Sequence, residues 1–225
     1  MYRAMTDRPF PVRLYESSIA SGNAYKVRLL LTQLGKPFER IEYDTDRGTT
    51  RTAEFLRDTN PNGRVPVLQL EDGRCLAESN AILWYLAEGT PFLPGANDEQ
   101  GRWARAQVLQ WMFFEQYSHE PHIATLRHWI THKIEMTPER EAALPGKRKW
   151  GVAALEVMDQ HLRAHVFFAG DAYSIADIAL YAYTHVAHEG GHDLAPYRCV
   201  RAWLARVAAQ PRYVELTAQP KAARG

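Results

Sequence analysis

Three short segments in the first eighty residues carry side chains suited to binding a small ligand and polarising it. Ser17, Ser18, Ser21, Gly22 and Asn23 set hydroxyl and amide groups just ahead of a helical pattern. A helix start offers unpaired backbone N–H groups and the positive end of the helix dipole, so an anion is favoured there. A ligand thiolate is one such anion. A free thiol titrates near pH ~8.5, and a helix N-terminus with a hydroxyl donor draws it toward neutrality at about 1.4 kcal/mol per unit. The plainer reading is that Ser21 or Asn23 caps the helix.

The second segment runs Asn60-Pro61-Asn62-Gly63-Arg64-Val65-Pro66-Val67-Leu68. Proline gives a strand ladder no donor, so Pro66 belongs at an edge or a strand entrance. A cis Val65–Pro66 bond would turn the Val65 N–H and C=O outward to pair with a peptide-like ligand. Arg64 is either a partner for a ligand carboxylate or a solvated charge. The third segment is Glu78-Ser79, opening a helix. Ser79 offers a hydroxyl and an N–H to a carboxylate, and Glu78 accepts from an ammonium group, which satisfies both ends of an amino-acid moiety. Glu in a first helical turn is also ordinary capping.

The elements that must hold these segments follow from periodicity. Strands are expected over 12–15, 37–43, 65–70 and 74–76, the last two joined across Glu71-Asp72-Gly73. Helices are expected over 25–34, 52–58 and 78–88. The order βαβαββα predicts a small mixed sheet, because strands joined through a helix run parallel and an Asp-Gly turn makes the last pair antiparallel. Pro91, Pro94 and two glycines then mark a linker. Beyond it the pattern is helical. Asn97 with Gln100 suggests a capping box for a helix reaching about residue 129, Thr137-Pro138 starts a helix into the 160s, and Ser174 with Asp177 caps 175–187. Segments 200–209 and 213–217 complete the domain.

Charge and composition narrow the function. The chain has 225 residues, with 27 Lys and Arg against 26 Asp and Glu, a formal charge of +1. This lacks the basic excess of a nucleic-acid or acidic-membrane binder. No run of 18 apolar residues and no apolar leader at the N-terminus occurs, so neither membrane spanning nor secretion is expected. Cys75 and Cys199 form no C-x-x-C pair, which suits a reducing cytoplasm.

Over almost its whole length the sequence resembles the glutathione S-transferase superfamily. Residues 60–68 carry N-P-x-G-x-V-P-x-L and residues 78–86 carry E-S-x-A-I-x-x-Y-L. The resemblance implies an α/β N-terminal thioredoxin-like domain over 12–89 after an extension over 1–11. A linker over 90–96 and an all-α C-terminal helical domain over 97–225 follow. It implies that Val65, Pro66, Glu78 and Ser79 bind glutathione, with Arg64 near the glycyl carboxylate. The opening segment is similar to serine-type and bacterial members, which makes Ser21 the first candidate for thiol activation and Asn23 the second, with Ser17 and Ser18 still open. Tyr15 is expected to pack in the sheet. The implied activity is attack of glutathione thiolate on an electrophilic apolar molecule, a cytoplasmic detoxification by a homodimer with no metal. Trp111, Phe114, Tyr117 and His119 would offer an aromatic surface to that second substrate.

Two alternatives come with the same resemblance. Residues 21–28 are similar to the zeta class, where Ser-Ser-Cys precedes Arg-Val-Arg and maleylacetoacetate is isomerised; here Asn23 stands at the cysteine position. A non-catalytic glutathione-fold binding module would also retain these polar groups. His188-Glu-Gly-Gly-His192 matches H-E-x-x-H literally, but Gly190 and Gly191 interrupt the helix a zinc site needs. His119, His122, His128 and His132 do not share one helix face. Asp177 is assigned to folding.

Overall fold

The structure, a computed structural model, describes residues 12–218. The expected extension over 1–11 and the last residues of the expected helical domain, 219–225, lie outside them. The described chain divides into two compact units, residues 12–86 with 211–218, and residues 87–210.

The first unit is built on strands β1 (Val12–Ser17), β2 (Phe38–Tyr43), β3 (Val67–Gln69) and β4 (Cys75–Ala77). Helices α1 (Gly22–Gln33), α2 (Ala53–Asp58) and α3 (Ser79–Ala87) interleave with them in the expected βαβαββα order. The sheet order is β2-β1-β3-β4, with β1 parallel to β2 and β3 antiparallel to both β1 and β4. The Asp72-Gly73 turn closes the last pair, Gly73 taking φ +84°, where glycine is unstrained. Val12 and Leu14 face inward while Arg13 faces solvent, the period-2 alternation of a strand buried on one face.

Helix α1 is buried nearly all round, including Ala24, Tyr25, Val27 and Leu29 to Leu31. A helix buried on nearly every side needs cover on its outer face too. Residues 211–218 supply it. Tyr25 Oη donates to the Val214 carbonyl at 2.7 Å, and Arg28 donates to the carbonyls of Glu215, Leu216 and Ala218 at 3.3, 2.5 and 2.8 Å. Residues 213–217, expected to close the helical domain, thus form turns against α1. Pro211 and Arg212, the latter at φ +56°, end the preceding helix and turn the chain.

The second unit contains α4 (Glu99–Phe114), α5 (Glu120–Thr131), α6 (Pro138–His161), α7 (Ile175–Thr184) and α8 (Arg198–Ala208). The expected single helix to about residue 129 is α4 and α5 joined by a π-helical turn, Glu115–His119. Pro121 explains it, since proline has no N–H for the Tyr117 carbonyl one turn back. The N-cap of α4 is Asp98, which accepts the Gly101 N–H at 2.7 Å, and not Asn97. Every residue of α7 is buried, and its Ser174–Asp177 capping box is present. Asp177 also accepts the Phe168 N–H at 3.1 Å and the Trp203 indole N–H at 2.9 Å, tying three segments of the helical core. Among the described residues no helix is long and apolar enough to cross a membrane.

Candidate functional site

Sheet register carries the three polar segments of the first unit to one end of the sheet. Tyr15 pairs with Val67, and Val67 pairs with Ala77. Past that row β1 leads into residues 17–23 and the start of α1. The chain enters β3 from the cis Val65–Pro66 peptide, and β4 delivers Glu78 and Ser79 to the start of α3. Segments separated by some fifty residues therefore converge because three strands share a row.

Within the first segment the hydroxyls divide their work. Ser17 Oγ lies 3.0 Å from Thr45 Oγ1 and accepts the Ile19 N–H at 3.1 Å, so it shapes the loop. Ser18 is exposed and its N–H donates to the Tyr43 carbonyl at 2.9 Å. Ser21 is the N-cap of α1, its Oγ 3.5 Å from the Ala24 N–H. Asn23, in the first turn, accepts from Ser79 Oγ at 3.0 Å through Oδ1. Lys26 Nζ donates in turn to Ser79 Oγ at 3.4 Å. Tyr15 packs against Tyr43 and donates to Gln69 Oε1 at 2.9 Å, inside the sheet as expected.

The second segment is held by two residues that sequence reasoning passed over. Asn60, buried, donates through Nδ2 to the Arg64 carbonyl at 2.9 Å and accepts the Asn62 N–H at 3.0 Å. Its position as the first residue of N-P-x-G was the available signal, since Asn side chains close turns on the backbone ahead of them. Arg51 donates to the Asn62 carbonyl at 2.9 Å and lies against Gly63, where a Cβ would stand 2.7 Å from Nη1. Gly63 also takes φ +62°, a left-handed backbone that favours glycine, while the exposed Arg51 side chain could move aside for a Cβ. Pro66 is buried, Val65 half-buried, and the Arg64 side chain exposed.

Glu78 precedes α3 at φ +67°, a left-handed conformation that costs a non-glycine residue about 1–2 kcal/mol. Its carbonyl accepts the Ile82 N–H at 2.9 Å, its side chain is exposed, and Ser79 beside it is buried. Strain of this kind persists where surrounding structure requires it, often at ligand sites.

Beneath α1 lies a buried ionic cluster. Glu16 contacts Arg28 at 3.7 Å and is hydrogen-bonded by Arg40 Nε. Burial pushes the Glu16 carboxyl up, and the two guanidinium groups oppose that rise. Burial likewise pulls Arg28 down, against the attraction of Glu16.

In the helical unit two of the four residues expected to offer an aromatic surface are buried. Trp111 packs against Phe114, His161 and Phe168 with ring centroids 5.2, 4.6 and 4.7 Å away, and His119 is fully buried with Nε2 2.9 Å from Thr184 Oγ1. These two side chains serve helix packing. Phe114 is half-buried, and Tyr117 is 85% exposed. Trp103 and Phe113, not singled out in the sequence, are also largely exposed on α4. The His188–His192 stretch is a 3₁₀ turn, Ala187–Gly190, followed by Gly191 at φ +79°. His188 is exposed and His192 buried, so the two rings do not face one point on a helix. No group of three His, Cys, Asp or Glu among the described residues is placed to hold a metal ion.

Residues 20–88 match a family model described as glutathione S-transferase, N-terminal domain, and residues 141–206 match glutathione S-transferase, C-terminal domain. The crystal structure of a glutathione S-transferase from Pseudomonas fluorescens Pf-5 is 48% identical, with 92% of this chain and 100% of that chain covered at a TM-score of 0.85. Elongation factor 1-gamma of Artemia salina is 31% identical over 147 residues, 63% of this chain; the match spans only 32% of that protein. The disulfide-bond oxidoreductase YfcG of Escherichia coli K12 is 28% identical over 84% of this chain and 87% of its own length.

Proposed function

The chain belongs to the glutathione S-transferase superfamily, and on that premise we propose that it binds glutathione at the sheet end described above and transfers it to an electrophilic apolar molecule. The observation that carries the reading is the Ser79–Asn23 hydrogen bond, which couples the first turns of α1 and α3. Two helix N-termini then serve two anions of one ligand: the thiolate at α1 and the γ-glutamyl carboxylate at α3. Glu78 accepts from the ammonium group, Val65 pairs with the ligand backbone beside Pro66, and Arg64 meets the glycyl carboxylate.

Thiol activation is the catalytic step. Ser21 Oγ accepts the Ala24 N–H as the α1 cap and keeps its own O–H to donate, so Asn23 and Ser21 are both candidate donors to the sulfur. A donor aimed at the sulfur stabilises thiolate over thiol, and the bound thiolate attacks the electrophile as its leaving group departs. A cytoplasmic detoxifying homodimer is part of the same reading.

Likeness to an oxidoreductase over most of its length favours a second reading. Bound glutathione thiolate would attack a disulfide sulfur, forming a mixed disulfide as the other sulfur leaves as thiolate. Cys75 and Cys199, both free, lie outside residues 17–23, so glutathione itself would supply the sulfur.

One experiment tests these readings: ultraviolet thiolate absorbance of bound glutathione against pH for wild type, Ser21→Ala and Asn23→Ala, beside turnover of an aryl halide and of a glutathione mixed disulfide. A lowered thiol pKa lost in Asn23→Ala, with aryl halide turnover, is expected. Turnover of the disulfide alone selects the oxidoreductase. Binding with an unshifted thiol leaves a binding module, and no binding sinks the site assignment.

A further inference from the structure

Lys26 has no role in the reading above, yet it is fully buried one turn into α1, three residues after Asn23 and on the same helix face. Burying an amine is costly unless hydrogen bonds compensate. One of its partners is informative. Lys26 Nζ donates to Ser79 Oγ at 3.4 Å, and Ser79 Oγ donates to Asn23 at 3.0 Å.

The direction of this chain bears on the orientation of an amide. A serine hydroxyl has one proton to give, and a lysine ammonium only donates. Ser79 receives from Lys26 on one lone pair and gives its own proton to Asn23, whose Oδ1 is the atom that meets it. The Nδ2 group, carrying two donors, is thereby on the opposite edge of the amide, in the same plane. Without Lys26 on that lone pair, the Ser79 hydroxyl has both lone pairs to offer Nδ2, and the inverted amide gains relative to the observed one.

Resting on the glutathione reading, we infer that Lys26 is a positioning residue for thiol activation, acting through Ser79 to hold Asn23 with its Nδ2 donors toward the glutathione sulfur. The arrangement also reassigns Ser79. Its hydroxyl is committed to the relay, which leaves carboxylate recognition to the backbone N–H groups opening the nine-residue helix α3. In a water-poor setting such a fixed donor is worth more than a mobile one, because no reorganisation is needed when the charge forms.

The test compares Lys26→Met, Lys26→Arg and Ser79→Ala, each alone and with Asn23→Ala, by thiolate absorbance of bound glutathione against pH. Lys26→Met removes the donor at similar volume, and Ser79→Ala breaks the relay while keeping Lys26. Each is expected to raise the bound thiol pKa by about half to one unit, a roughly three- to tenfold loss of thiolate near neutrality. Lys26→Arg, which still donates, restores the wild-type profile, and neither Lys26→Met nor Ser79→Ala adds to Asn23→Ala. A Lys26→Met shift of equal size with and without Asn23 would mean that Lys26 acts by charge through space, overturning the relay; so would a silent Ser79→Ala. Ser79→Ala, the smaller change, carries the test if Lys26→Met does not fold. Wild type that lowers the thiol pKa beside silent variants removes the relay alone, whereas wild type that binds no glutathione removes both readings.

Discussion

Nε of Arg28 stands 3.7 Å from Oε2 of Glu16, and both side chains are nearly sealed from solvent. The other guanidinium nitrogens of Arg28 reach three carbonyls of residues 215–218, so one side chain joins β1, α1 and the segment that covers α1. Removing it strands Glu16 on Arg40 alone and leaves three carbonyls without this donor. Arg28→Met is therefore expected to destabilise the first unit by about 3 kcal/mol. Urea unfolding followed by hydrogen exchange should show the loss in α1 while α7 stays protected; equal loss in both units would refute a local strap.

The helical core makes a pH prediction. Burial lifts the Asp177 carboxyl from an ordinary value near 3.8 to about 6, the four donors around it opposing the rise. Between those values the folded chain holds a proton the unfolded chain has lost. Stability from this group is thus complete below about pH 4 and is lost as pH rises through 6, on the order of 3 kcal/mol in all. His122, His161, His185 and His192 are pulled down by burial, so their contribution runs oppositely and is lost as pH falls below about 6.5. Subtracting the melting profile of Asp177→Asn from that of wild type isolates the carboxyl. The difference should shrink from pH 4 to pH 6; a difference that grows would reverse the assignment.

Much of the fold was legible because its signals are local. The alternation in β1, the Asp72-Gly73 turn and the Ser174–Asp177 box each sit within a few residues of the structure they cause. The π-helical turn was legible in principle from Pro121, but its surroundings read as one unbroken helix. What stayed hidden was long-range. Residues 213–217 dock on α1 through bonds to Tyr25 and Arg28, partners nearly 190 positions away. Ser79 was readable as a first-turn hydroxyl, whereas its engagement with Asn23 and Lys26, 56 and 53 positions away, depends on the sheet register that brings α1 and α3 together. Trp111 on α4 and His119 in the π-helical turn after it lie in a stretch that carries aromatics on both sides, and only packing decides which are buried.

Gly151 in α6 lies against the His192 ring, into which a Cβ at that position would run. Gly151→Ala should gain about 1 kcal/mol of helix propensity and lose about 1–3 kcal/mol to overpacking, a net destabilisation. In a His192→Ala background the obstruction is gone, and the same substitution should stabilise. Thermal melts of the four proteins form the cycle; a Gly151→Ala effect of the same sign in both backgrounds would show that His192 is not what excludes the side chain.

Glu78 holds a conformation glycine would adopt without strain. Glu78→Gly is thus expected to raise stability by about 1 kcal/mol, the left-handed penalty relieved less the greater freedom of an unfolded glycine. The same change removes the carboxylate proposed to accept from the ligand ammonium, so glutathione affinity should fall about tenfold, the loss of a charge-assisted hydrogen bond. Stability and affinity moving in opposite directions is the signature of strain kept for binding. Calorimetric titration with glutathione beside a thermal melt measures both. A variant that is more stable and binds equally well would show that the strained backbone, and not the carboxylate, is what Glu78 brings to this end of the sheet. A variant that is less stable would mean that the side chain itself holds the turn into α3.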